Sequence, residues 1–308
     1  MIQAGKQETK AATVRVLAKS VKGQPTSDGA GVRLNRVLGS AALPDLDPFL
    51  LLDEFFSDDA ADYIAGFPAH PHRGFQTVTY MLDGHMRHED HLGNQGELTG
   101  GGVQWMNAAG GIIHSEMPQQ RNGRMRGFQL WINLPAKEKM SAPWYRDIPA
   151  ERIPVVSLAG GVTVKVIAGR LHHTGGDVEG AVAGETTDPL FLDVKMPPGA
   201  VFRHPVGADH NSFVYPYDGA IVVGEGATAK PLAARTAGVL GPGATIAFAA
   251  GAEGASVLML AAKPLREPVA RYGPFVMNTR EQITQAFADY QNGTLAKPAR
   301  AAEGSSQA

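Results

Sequence analysis

GFPAHPHRGFQTVTYML, residues 66–82, carries two histidines around a proline and then an alternating run typical of a β-strand. Residues i and i+2 of a strand point to the same face, so His70 and His72 are expected to share a face. Pro71 cannot donate a ladder hydrogen bond, which places this segment at a strand start or a sheet edge. GIIHSEMP, residues 111–118, repeats the spacing with His114 and Glu116.

Neighbouring strands with these two pairs would aim three imidazoles and one carboxylate at a common point. That donor set suits Fe(II), Mn(II), Ni(II) or Zn(II), because imidazole and carboxylate are borderline-to-hard ligands. The chain has no cysteine, so thiolate metal sites are excluded. Alone, His70 and His72 fit two surface histidines in a proline-rich turn equally well. His114 and Glu116 make a metal site the favoured interpretation.

The other histidines predict no second site. His85, His88 and His91 lie between two turns, too close together for a helix, and we expect a hydrated strand face. His88 with Asp90 is kept as a reserve ligand or a supporting pair beside the ligands. Four histidines of the second half have no carboxylate two residues away and are expected to be structural or at the surface. They are His172, His173, His204 and His210.

Composition favours an all-β chain without a nucleic-acid or membrane partner. The 37 glycines and 21 prolines of the 308 residues indicate many turns between short apolar runs. The net charge of −2 has no basic run, which argues against direct nucleic-acid binding. No apolar stretch reaches the length of a membrane span. Without a signal-type segment or cysteine, a cytoplasmic location is expected.

The first half reads as a meander of short strands. Strands are predicted at residues 75–82, 85–92, 97–107 and 112–117, with a bulge or close backbone approach at Gly100–Gly102. Residues 135–150 are punctuated by prolines and are expected to be a linker. We therefore predict an N-terminal metal-binding domain over residues 11–150.

The second half predicts another β-domain of similar length, which indicates an internal duplication. Its strand candidates are residues 162–168, 190–195, 220–223, 245–248 and 256–261. Thr279 and Gln282 fit a capping box, and apolar residues at helical spacing follow: Ile283, Ala286, Phe287 and Tyr290. Gly293 is the expected stop of this helix. The second domain is thus predicted over residues 151–293, and a disordered tail over residues 294–308.

Both ligand segments resemble the metal motifs of the pirin family of cupins. The first match is residues 66–80, and the second comprises VQWM (103–106) and GIIHSEMP (111–118). Weaker likeness extends from about residue 30 to 293. The resemblance implies a bicupin, with two tandem jelly-roll barrels and one metal in the N-terminal barrel. It also implies metal binding through His70, His72, His114 and Glu116, most often to Fe(II), with Mn, Ni, Co, Cu or Zn as alternatives.

Two roles follow from that resemblance. Some pirins resemble quercetin 2,3-dioxygenases, which open a flavonol ring with O₂. Glu116 would then be ligand and general base, taking the flavonol hydroxyl proton. Other pirins are regulatory proteins that bind a protein partner without turnover. A third alternative is another cupin reaction on a small enolisable substrate.

The sequence leaves two details open. Many cupins have a glutamate where this chain has Gln76, so a mechanism that needs a second acid there is doubtful. Four apolar residues near the ligands either line a cleft or fill the barrel, with core packing expected for at least half. They are Phe67, Trp105, Met106 and Ile113.

Overall fold

The computed structural model describes residues 13–296, which form 26 β-strands and one α-helix. The strands of the first half are β1 (Leu17–Lys22), β2 (Gln24–Asp28), β3 (Val32–Leu38), β4 (Phe49–Ser57), β5 (Phe67–His72), β6 (Phe75–Asp83), β7 (His85–Asp90), β8 (Gln95–Thr99), β9 (Val103–Asn107), β10 (Ile112–Pro118), β11 (Met125–Asn133) and β12 (Trp144–Ile148).

The strands of the second half are β13 (Val155–Ser157), β14 (Thr163–Ala168), β15 (Arg170–His173), β16 (Gly176–Glu179), β17 (Leu190–Met196), β18 (Val201–Pro205), β19 (Asn211–Asp218), β20 (Ile221–Val223), β21 (Lys230–Leu232), β22 (Thr236–Leu240), β23 (Thr245–Ala250), β24 (Ala255–Ala262), β25 (Ala270–Tyr272) and β26 (Phe275–Met277), followed by helix α1 (Arg280–Gln291).

Each half pairs a seven-stranded sheet with a four-stranded sheet. The first half has the orders β12-β9-β6-β11-β4-β3-β2 and β5-β10-β7-β8, and the second has β1-β22-β19-β24-β17-β14-β13 and β18-β23-β20-β21. Adding 13 to the strand numbers of the first small sheet gives the second. The all-β prediction with two duplicated halves is therefore confirmed.

The two large sheets pack against each other through a shared core. Strand β6 is buried on both sides, and its two-residue period sorts the side chains. Val78 and Tyr80 join aromatic residues of the second half, such as Phe213. Thr79 points the opposite way, toward the interior of the first barrel, where it contacts Glu116. One strand thus builds both the interface between the barrels and a wall of the first barrel.

Each half contributes a segment to the other. Strand β1 pairs with β22, so the N-terminal segment completes the second large sheet. In return, β26 contacts the first half at Arg73, which bridges Phe275. The predicted division at residue 150 therefore does not separate all the strands of the two barrels, and the domain boundaries stay a prediction.

Two local predictions were wrong in the first half. The single strand expected at residues 97–107 is two strands, β8 and β9, which lie in different sheets. A turn at Gly100–Gly102 separates them, and Gly101 has a φ of +85°, a conformation that glycine adopts without strain. The expected linker also contains a strand, since β12 pairs with β9. In that segment Lys139 is buried and donates to Gly74 O, Asn133 Oδ1 and Val276 O.

The C-terminal helix follows its sequence signals closely. Thr279 Oγ1 accepts from Gln282 N–H and Gln282 Oε1 accepts from Thr279 N–H, which confirms the capping box. Ile283 and Ala286 are buried and Phe287 is half-buried, whereas Tyr290 is 39% exposed, so its predicted packing was wrong. Gly293 ends the helix with a φ of +68°.

Residues 294–296, the start of the predicted tail, are described. Leu295 is buried beside Phe275 and Ile283, so packing continues at least to this residue. Residues 1–12 and the other residues of the predicted tail, 297–308, lie outside the described residues. Within residues 13–296, no helix is both long enough and apolar enough to cross a bilayer.

Candidate metal centre

Strands β5 and β10 bring the two predicted ligand pairs together. They run antiparallel, and His70 lies directly opposite His114. The register shifts between His114 and Glu116, so Glu116 faces Phe67. On its other edge β10 pairs with β7, which places Glu116 opposite His88. The structure thus confirms that the two sequence motifs occupy neighbouring strands.

Three imidazoles converge at this point. One ring nitrogen of each of His70, His72 and His114 lies within 4.8 Å of the others, and Glu116 is outside this close group. His70 Nδ1 donates to Pro68 O at 2.8 Å, and His72 Nδ1 donates to Pro274 O at 3.4 Å. A carbonyl can only accept, so in both rings the proton is on Nδ1 and the lone pair on Nε2.

Two lone pairs therefore face each other. His70 Nε2 and His72 Nε2 are 3.0 Å apart, an approach that is repulsive unless a cation lies between or beside them. His114 Nε2 is buried and has no hydrogen-bond partner among the described residues. Backbone carbonyls commonly orient metal-binding histidines in this way. The donor set fits a divalent transition metal.

Burial keeps two of the rings neutral, which is the form that binds metal. Desolvation lowers the pKa of His72 well below its ordinary value, and the nearby His70 lowers it further. Desolvation and then the neighbouring His72 lower the pKa of His114 in the same direction. At neutral pH both rings thus offer lone pairs without first losing a proton.

Glu116 sits beside the histidines with its own hydrogen-bond chain. Its side chain is buried, and Oε1 accepts from Thr79 Oγ1 at 2.8 Å. Thr79 Oγ1 is also 2.6 Å from Gln129 Oε1. The hydroxyl has one proton, so it donates to only one of these two oxygens at a time. Thr79 thus holds the carboxylate beside the histidines.

A cavity of about 1050 Å³ opens next to the centre. His70, His72 and Glu116 form part of its wall. Its apolar lining includes Leu34, Leu51, Phe55, Phe67, Met86 and Trp131. Of the four apolar residues considered from sequence, only Phe67 lines it. Trp105 and Met106 are fully buried in the core and Ile113 packs near α1, which confirms core packing for at least half.

Gln76 takes no part in this cavity. It shares the strand face of Val78 and Tyr80, toward the second barrel, and its Nε2 donates to Glu185 Oε2 at 2.7 Å. A glutamate at this position of β6 would point the same way. The glutamine therefore has a structural role between the barrels.

His88 and Asp90, the reserve pair considered from the sequence, have different roles in the structure. His88 is buried, which the expected hydrated face did not predict, and its Nδ1 lies 3.4 Å from His114 Nδ1. Asp90 instead accepts from Leu92 N–H and Asn94 N–H in the following turn. His85 lies on the opposite, more exposed side of β7, as expected, whereas His91 is an exposed residue of the turn after the strand. His88 thus supports His114, and Asp90 shapes a turn.

The histidines of the second barrel have structural roles. His204 is buried on β18, and its Nε2 accepts from His172 N–H at 3.0 Å. Burial lowers the pKa of His204 to about 4. His172 pairs with Asp177 at the surface.

The site also uses residues that sequence reasoning missed. Thr79 could have been predicted, because the two-residue period of β6 directs its side chain to the face opposite that of Val78. Pro274, Trp131 and Arg271 had no sequence signal, since they come from distant segments.

Comparison with known proteins agrees with this architecture. The pirin family matches residues 31–132, and the pirin C-terminal cupin domain matches residues 191–296. The chain belongs to the pirin family. A pirin-like protein from Caulobacter vibrioides is 52% identical over 280 residues, 91% of this chain and 99% of the relative.

Two further relatives carry the name of an enzyme. A Pseudomonas aeruginosa protein named "Putative quercetin 2,3-dioxygenase" is 52% identical over 274 residues, 89% of this chain and 95% of that protein. A crystal structure of quercetin 2,3-dioxygenase from Acinetobacter baumannii superposes with a TM-score of 0.82 at 30% identity, covering 92% of this chain and 99% of that one. Both halves of the chain are therefore cupin-type barrels of this family.

Proposed function

We propose that this pirin is a metal-dependent dioxygenase of the quercetin 2,3-dioxygenase type, which opens a flavonol ring with O₂. The observation that carries the proposal is the convergence of His70, His72 and His114 beside a large cavity, with the lone pairs of His70 Nε2 and His72 Nε2 facing each other. The names of the similar proteins support the same class.

The proposed ligands are His70, His72, His114 and Glu116, and the proposed metal is one Fe(II) per chain. Three neutral imidazoles and one carboxylate would leave a net charge of +1, which favours an anionic oxygen as the remaining ligand. When bound, the metal supplies Lewis acidity and one-electron chemistry, which the side chains lack.

Glu116 is the proposed general base for the flavonol hydroxyl. Its Oε1 is held by Thr79, which leaves Oε2 to accept a proton or to bind the metal. No other carboxylate sits two residues from a ligand histidine on these strands. Removing the hydroxyl proton makes the flavonol electron-rich, which is the state that reacts with O₂.

The cavity fits a flat, mostly apolar ligand. Pockets of 300–1,000 Å³ with apolar walls and a few polar groups are typical of small-molecule sites. Phe67, Met86 and Trp131 provide such walls, while the histidines and Glu116 are polar and lie at one side. In the proposed complex, an aromatic ligand would lie against these walls with its hydroxyl toward Glu116.

The test is oxygen-dependent turnover. Purified protein loaded with Fe(II) is given quercetin under air, and the loss of quercetin, the uptake of O₂ and the release of carbon monoxide are followed. The proposal expects equal amounts of all three, and none after the metal is removed by a chelator. A fully metal-loaded protein that consumes no quercetin would contradict it and leave a metal-dependent interaction protein as the better account.

A further inference from the structure

Arg271 is a cation in the wall of the cavity. One of its nitrogens, Nη1, donates to Leu50 O at 2.9 Å, and Cζ lies 5.0 Å from the centre of the Trp131 ring. Within residues 13–296 it forms no ion pair. A guanidinium has five N–H donors, so most of those of Arg271 remain for a ligand.

The neighbouring arginine is different. Arg36 also lines the cavity, but Asp53 holds it through two bonds of 2.9 and 2.7 Å. Asp28 adds a third bond at 3.0 Å. Asp53 and Asp28 thus form their ion pairs with Arg36, whereas Arg271 forms none with any described residue.

Charges of both signs lie near Arg271. Desolvation, the largest effect, and the charge of Arg36 lower the pKa of Arg271, whereas the carboxylates of Asp53, Asp45 and Asp28 raise it. Desolvation makes a half-buried cation without an ion pair costly, and an anionic ligand at hydrogen-bond distance would offset that cost. The bond to Leu50 and the contact with Trp131 fix the guanidinium in place, so little ordering is needed when a ligand binds.

The same indole connects this cation to the metal centre. The His72 ring lies 5.3 Å from the Trp131 ring, edge to face, and Arg271 lies over Trp131 at 5.0 Å. An aromatic ligand that spans the indole can therefore reach both groups. Its hydroxyl end would face the histidines and its other end the guanidinium.

We propose that the cavity takes an aromatic hydroxy compound with an anionic group, a carboxylate or a sulfonate, and that Arg271 binds that group. This inference rests on the proposed dioxygenase function and names its substrate class. Arg271 is a specificity residue that contacts the substrate away from the reacting ring.

The experiment compares two flavonols that differ by one charge. Metal-loaded protein without O₂ is titrated with quercetin and with its sulfonate, and binding is followed by quenching of tryptophan fluorescence. A charge-assisted hydrogen bond is worth enough for the sulfonate to bind about tenfold more tightly or better. Arg271→Gln should remove this preference while quercetin binding changes little, and Arg271→Lys should keep part of it.

Arg152→Gln is the matched control, because Arg152 is exposed and outside the cavity. It removes the same charge and should leave the preference intact. Equal affinity for the two flavonols in the parent, or no binding of the sulfonate, would overturn the inference. Turnover is recorded separately: tight, Arg271-dependent sulfonate binding without oxygen-dependent turnover would uphold the anion site and contradict the dioxygenase function.

Discussion

The two barrels share the strand order of their small sheets and differ at the pair of strands that forms the metal centre. In the first barrel His70 on β5 lies opposite His114 on β10. In the second, the equivalent strands are β18 and β23, and His204 lies opposite Ile246. Two positions earlier, Phe202 lies opposite Phe248. One barrel thus directs imidazoles inward where the other packs apolar side chains around a single histidine.

This difference shows how one fold separates chemistry from support. Phe202, Ile246 and Phe248 belong to the apolar cluster of the second barrel. The first barrel instead keeps a cavity of about 1050 Å³ beside its histidines. A cavity lowers stability because its walls lose contacts. The second barrel, which is filled with apolar side chains and is called the filled barrel below, offsets this loss of stability. Its contact with the first barrel buries the outer face of β6 in a shared core.

The largest expected effect is on turnover, and it comes from removing the Glu116 carboxylate in the first barrel. Glu116→Gln should lower quercetin turnover per bound metal by roughly 10²- to 10⁴-fold, because the proposed base is lost. Metal content should fall less, since three imidazoles remain. Steady-state rates are divided by the metal content of each preparation.

Glu89→Gln is the control, an exposed carboxylate on the neighbouring strand β7. It should leave turnover unchanged. A Glu116→Gln rate within about threefold of the parent, far less than a lost base costs, would show that Glu116 is not the base.

The filled barrel should respond to acid through His204. Burial lowers its pKa to about 4, so between pH 6.5 and 4 the unfolded chain takes up a proton that the folded chain refuses. The contribution of neutral His204 to the free energy of unfolding is therefore fully present above pH 6.5 and decreases as the pH falls. The loss is on the order of 3 kcal/mol by pH 4.

His204→Leu should abolish this part of the pH dependence. The free energy of unfolding in urea, measured at several pH values between 4 and 7.5, gives the slope for parent and variant. The parent should have the steeper slope. Equal slopes would mean that His204 is protonated as easily in the folded barrel as in the unfolded chain.

The smallest effect concerns the helix that the second half contributes to the first barrel. Phe287 is half-buried and packs edge-on against Phe275 at 4.9 Å. Phe287→Ala should therefore cost about 1–2 kcal/mol, less than the 3–5 kcal/mol of a fully buried phenylalanine. Thermal unfolding measures the difference.

Tyr290→Ala, on the exposed side of the same helix, should stay within about 0.5 kcal/mol of the parent. If both variants melt at the parent's temperature, the helix does not stabilise the barrel.

The features that could be predicted from the sequence are those set by the spacing of nearby residues. The spacing of His70, His72, His114 and Glu116 predicted the pairing of two strands, and Thr279 with Gln282 predicted the start of α1. Both signals act within a few residues of the chain. The structure confirmed the strand pairing and the capping box.

Contacts between residues far apart in the chain could not be predicted from the sequence. His72 donates to Pro274, 202 residues away, and Lys139 donates to Val276, 137 residues away. No local pattern marks such partners, because the fold alone brings them together. The burial of Lys139 was missed for the same reason. A buried ammonium is costly unless its N–H groups are hydrogen-bonded, and Lys139 has three acceptors: Gly74 O, Asn133 Oδ1 and Val276 O.

Metal content of matched histidine variants tests the central claim most directly. We expect close to one divalent transition metal per chain in the parent and in His204→Ala, and almost none in His72→Ala, with the β-sheet circular dichroism of all three alike. His72→Ala removes one of the two facing lone pairs, while His204→Ala alters only the filled barrel. Elemental analysis that finds two equivalents in the parent, or a parental level in His72→Ala, would contradict a single histidine-based centre in the first barrel.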